Sequence, residues 1–91
     1  HLVSSDTQSI RREQRILREK MDRIKTRVNK TEENIERFTG KGAESIRAQY
    51  AKSMEDDRKE MEDIRAKLTM LRNAAKKAEE ESNSDSAGDG E

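Results

Sequence analysis

Phe38-Thr39-Gly40-Lys41-Gly42 holds two of the four glycines in a chain of 91 residues that contains no proline. Two glycines inside a helix would cost about 2 kcal/mol relative to alanine. On both sides of this stretch the apolar residues follow a helical period, stepping by three and four. Upstream, Val3, Ile10, Leu17, Ile24, Thr31 and Phe38 recur every seven, with Gln14, Met21, Val28 and Ile35 filling the second position of the same stripe. Downstream the stripe is Ile46, Tyr50, Met54, Asp57, Met61, Ile64, Leu68, Leu71, Ala75 and Ala78. The two stripes do not share a register. The series Gln14, Met21, Val28, Ile35 continues by sevens to Asp56, whereas its counterpart falls at Met54, Met61 and Leu68. One interruption at 39–42 explains both the glycines and the slip. The reading is all-α: helix 5–38, turn 39–42, helix 43–81.

Working outward, residues 1–4 form an N-terminal extension. Ser5 with Gln8 fits a capping box at the first helix start. Residues 82–91, Ser-Asn-Ser-Asp-Ser-Ala-Gly-Asp-Gly-Glu, have no apolar period and are expected to form a disordered acidic tail.

Charge sets the arrangement of the two helices. Twenty Lys/Arg cancel twenty Asp/Glu overall, yet residues 10–30 hold nine bases and three acids, and residues 55–63 hold six acids and two bases. Folding the chain back so that paired residue numbers sum to about 84 lays the first block beside the second. It also pairs Phe38 with Ile46, Ile35 with Tyr50, Ile24 with Met61, Met21 with Ile64 and Leu17 with Leu68. Exposed ion pairs contribute only about 0.2–1 kcal/mol each, so they select an antiparallel hairpin more than they stabilise it. The rival arrangement is one continuous rod of about 110 Å at 1.5 Å per residue.

The expected core and interface are Leu17, Met21, Ile24, Val28, Ile35 and Phe38 from the first helix, with Ile46, Tyr50, Met54, Met61, Ile64, Leu68 and Leu71 from the second. With 44 % of residues charged and 29 % hydrophobic, that core is thin. Two helices cannot fully cover each other's apolar faces, but a second hairpin can, giving a four-helix bundle. The expected partner is therefore another helical hairpin, as a homodimer or a heterodimer.

Composition removes most chemistry. Without Cys there is no zinc ribbon, disulfide scaffold or thiol nucleophile, and the single His is His1. No enzymatic activity, cofactor or metal is expected. Gly40-Lys41-Gly42 lacks the spacing and the preceding strand of a phosphate-binding loop. Glu55, Asp56, Asp57, Glu60, Glu62 and Asp63 read as a solvated face rather than a fixed oxygen cage. The basic stretch from Arg11 to Lys30 lacks interleaved aromatics for base stacking, and nucleic acid is not the expected partner. Of the four methionines, Met21, Met54 and Met61 lie on the stripes and Met70 lies off them. No apolar run reaches the roughly 20 residues of a membrane span. The start His1-Leu2-Val3-Ser4-Ser5-Asp6 lacks the basic and apolar blocks of a cleaved signal peptide.

The two aromatics, Phe38 and Tyr50, both lie near the turn. Phe38-Thr39-Gly40 resembles the WXG motif in the turn of the small helical-hairpin proteins of type VII (ESX-type) secretion. The similarity extends over about residues 5–81. Ala43, Ile46, Tyr50 and Met54, then Met61, Ile64, Leu68 and Leu71, look like the small, aromatic and apolar positions that follow the motif. Phe38 stands where the family has Trp. The family's export signal, a Tyr followed four residues later by an acid, would fall at Ala78 and Ser82, where neither residue matches. The resemblance implies the signal-less half of a pair, or an accessory chaperone of a larger type VII substrate. It implies secretion without a cleavable signal peptide, or a cytoplasmic location for an accessory protein. The alternative reading is a coiled-coil oligomerisation fragment of a larger structural scaffold.

Overall fold

A computed structural model describes residues 5–89, with side chains described over residues 6–81. Two helices, α1 (Ser5–Arg37) and α2 (Glu44–Asp89), are joined by a short 3-10 turn at Lys41–Ala43. They lie side by side as an antiparallel hairpin, 76 × 16 × 14 Å in extent. The chain is all-α and folds back at the glycines; it does not form the continuous rod. Residues 1–4 and the Ser5 hydroxyl cap lie outside the described residues and side chains.

The helix bounds differ from the expected ones in small ways. α1 ends one residue early, and Phe38 is held by a hydrogen bond from its backbone N–H to the Ile35 carbonyl at 3.2 Å. Gly40 then takes φ +106°. That backbone conformation is strained for any residue with a Cβ, which is why a glycine stands there. The Ala43 N–H donates to the Gly40 carbonyl at 3.3 Å, closing the 3-10 turn before α2 begins at Glu44.

At the other end α2 runs to Asp89, so helix occupies 82–89, where a tail is expected from composition. No proline interrupts this segment, and Gly88 is its only glycine. Residues 90 and 91 lie outside the described part of the chain.

The core is a single seam. Leu17, Met21, Ile24, Val28, Met61 and Ile64 are buried together, with Met54, Leu68 and Leu71 packed against them. Both a/d stripes thus face each other, as the period requires. The seam is shallow. Ile24, the most buried of these side chains, keeps 2 % of its surface in water.

Candidate protein-interaction seam

The middle of the seam carries two buried polar residues, Thr31 and Asp57. Both occupy stripe positions. Asp57 is matched by Arg27 of α1, whose Nη2 donates to Oδ1 at 2.7 Å and whose Nε donates to Oδ2 at 3.0 Å. Such a forked pair fixes direction as well as distance. The Thr31 hydroxyl donates to the Arg27 carbonyl one turn back, at 2.9 Å, and so needs no partner from α2. Hydrogen bonding from Arg27 holds the Asp57 carboxyl below its ordinary pKa against the opposing effect of burial, and the same contact raises the Arg27 guanidinium. No buried side-chain polar atom among the described residues lacks a hydrogen-bond partner.

Further contacts surround this pair. Lys20 Nζ lies 3.3 Å from Glu60, and Arg27 lies 3.7 Å from the other Glu60 oxygen. Arg58 reaches Glu32 at 3.5 Å. The basic block of α1 is therefore level with the acidic block of α2, as the charge pattern requires. Neutralisation is sparse, however. Of the nine bases in 10–30, only Lys20 and Arg27 have a carboxylate of α2 within 4 Å among the described residues.

At the closed end, Phe38 and Tyr50 stack with ring centroids 5.7 Å apart and planes at 24°. The Arg47 Nη1 donates to the Phe38 carbonyl at 2.8 Å. A cation is favourable there because the last carbonyls of α1 have no partner within the helix. Arg27 and Asp57 have residue numbers that sum to 84, whereas Phe38 and Tyr50 sum to 88. The difference arises between the two pairs, because eleven residues separate Arg27 from Phe38 and only seven separate Tyr50 from Asp57. Tyr50 thus replaces Ile46 as the partner of Phe38. Ala43 is buried beneath the turn, and Ile46 is left 38 % exposed, outside the core expected for it. Ile35 is half-buried, short of the seam's buried middle.

At the open end Glu13, Leu17, Lys67, Met70 and Leu71 line an open groove of about 230 Å³. Met70 lies off the stripe and is 70 % exposed, and Ile16 is 48 % exposed. Among the described residues no group of three or more His, Cys, Asp or Glu could hold a metal ion, and no helix is long and apolar enough to cross a membrane.

Arg27, Arg47 and Ile16 are the participants that the stripes do not single out. Thr31 and Asp57 did leave a signal, as polar interruptions of an otherwise apolar series. No family model matches the chain, and no curated protein or solved structure matches it either.

Proposed function

We propose that this chain is a non-enzymatic helical hairpin that works by pairing with a second helical hairpin to complete a four-helix bundle. The observation that carries this reading is the incomplete cover of the seam. Ile16, Ile46 and Met70 remain exposed, and the open-end groove leaves Leu71 only partly covered. Large apolar side chains gain about 1.5–3 kcal/mol each on full burial, and a facing hairpin is the simplest source of that cover.

The more specific role is service to type VII secretion, as an exported ESX-like protein or as the partner or chaperone of a larger exported substrate. Its support is local. Phe38 and Gly40, the two residues that resemble the family motif, lie at the reversal between the helices, with Phe38 stacked on Tyr50.

The test is co-purification of the tagged chain from its native host, followed by sedimentation of the recovered species. Recovery of a defined complex with another helical hairpin, whether a second copy or a different chain, supports the pairing. A folded chain that sediments as a monomer and pairs with no helical protein would overturn it. Loss of the complex partner from the secreted fraction when type VII secretion is disabled supports the export role, and unchanged secretion refutes it.

A further inference from the structure

We infer that the partner is a second copy of this chain, seated on one flank of the hairpin with both turns at the same end. This rests on the pairing reading above and specifies its occupant, face and direction.

The two flanks of the seam differ in charge. One flank is marked by the contacts of Lys20 and Arg27 with Glu60, and the open-end groove lies on the same side, because Glu13 is seven residues from Lys20 and Lys67 is seven from Glu60. Helical steps of three, four and seven from these residues add Ile16, Arg23 and Lys30 in α1, and Asp56, Asp63 and Met70 in α2. The α1 half of this flank is therefore basic and the α2 half acidic. Arg23, Lys30, Asp56 and Asp63 are all exposed, and none has an oppositely charged group within 4 Å among the described residues. Ile16 and Met70 add exposed apolar surface to the two halves.

The opposite flank is marked by the Arg58–Glu32 contact. Steps of seven along it give Lys25 and Arg18 in α1, and Arg65 and Arg72 in α2. Steps of three and four add Asp22 and Glu36 in α1, and Glu55 and Glu62 in α2, so both halves of this flank are mixed in charge and a second copy placed there finds no surface of opposite sign.

Direction follows from the same pattern. A two-fold axis along the hairpin sets α1 against the partner's α2 with both turns together. The basic and acidic blocks then face each other at one height, because they are already level within each hairpin. A two-fold axis across the hairpin sets α1 against α1, basic block on basic block. Electrostatic complementarity selects the first arrangement. The size also fits. The 33 residues of α1 span about 50 Å, and over the 16 Å width of the molecule that face offers about 800 Å² per copy, the share of a standard stable interface.

The chain has no cysteine, so Lys41→Cys places a single spin label at each turn. Sedimentation of the full chain is expected to show a dimer, with the two labels close together rather than a molecular length of 76 Å apart. Asp56→Arg with Asp63→Arg should weaken the dimer at least about tenfold, whereas Arg65→Glu on the other flank should leave its affinity unchanged. Adding Arg23→Glu to Asp63→Arg should restore association, which separates a charge effect from misfolding. A dimer indifferent to the Asp56 and Asp63 reversals, or one with distant labels, overturns the face and direction while leaving the pairing reading intact. A chain that is monomeric alone but pairs with a different hairpin overturns the second copy only. A folded chain that pairs with nothing overturns both.

Discussion

Arg27 grips Asp57 across the seam with two hydrogen bonds, at 2.7 and 3.0 Å, and the carboxylate is buried while the guanidinium remains half in water. The two residues do not carry equal risk. Arg27→Ala strands a buried charge and is expected to cost about 1–3 kcal/mol, at the low end because water can reach the Arg27 side of the site. Replacing both partners, with Arg27→Met and Asp57→Leu, should be close to neutral or stabilising, because the seam around Asp57 is apolar. Urea unfolding of the two variants and the parent checks the order. A double variant less stable than Arg27→Ala would refute this account of the pair.

The same pair sets an acid response. The Arg27 hydrogen bonds lower the folded-state pKa of Asp57. A carboxyl with a depressed folded pKa stabilises the fold fully above its unfolded pKa, about 3.9. That contribution is lost as pH falls through the lower, folded value. The melting temperature should therefore decline from about pH 4 downward, and Asp57→Asn should flatten the decline. Raising the Arg27 pKa from an already high value adds no pH dependence in the neutral range. Melts followed by circular dichroism across this window test the sign.

The two central glycines should respond differently. Gly40 sits at φ +106°, so Gly40→Ala is expected to cost about 1–3 kcal/mol of backbone strain even though no atom crowds the new methyl group. Gly42 has no such dihedral and its Cβ would meet nothing within 4 Å, so Gly42→Ala should be neutral or stabilise by up to about 1 kcal/mol. Thermal melts of the two single variants decide the comparison.

In the seam itself, Ile64→Asp places an unpaired carboxylate where only 3 % of the side chain reaches water. Loss of most of the helical circular dichroism is expected, since a buried charge without a partner costs several kcal/mol and the seam has little else to compensate. Lys77→Gln on the exposed surface should leave the spectrum unchanged. A parental melt for Ile64→Asp would show that the helices do not depend on the seam.

The stripes and the two glycines were enough to expect a hairpin, because a side chain's face follows from spacing alone. Leu17, Met21, Ile24, Val28, Met61 and Ile64 are buried together for that reason. Spacing does not say how far each helix is rotated about its own axis. Arg27 flanks the seam, and only that rotation brings its guanidinium onto Asp57. At the closed end Phe38 meets α2 one helical turn further along than a simple fold-back places it. Eleven residues separate Arg27 from Phe38 but only seven separate Asp57 from Tyr50, an offset that the spacing of either stripe alone does not contain. Phe38 consequently stacks on Tyr50, and Ile46 is left on the surface. The surface proposed for pairing is legible in the sequence only as an uneven charge map; its division into two unlike flanks needs the observed ion pairs.

The cross-helix pairs are nested: Phe38 with Tyr50 spans a dozen residues, and Arg27 with Asp57 spans thirty. Each inner contact shortens the loop that the next must close, so assembly can proceed like a zipper from the bend toward the free tips, with the entropy of closure met in small instalments. Dissolution should run in reverse. The helical amides of the tips should exchange before those of the buried middle, at residues 21–28 and 57–64.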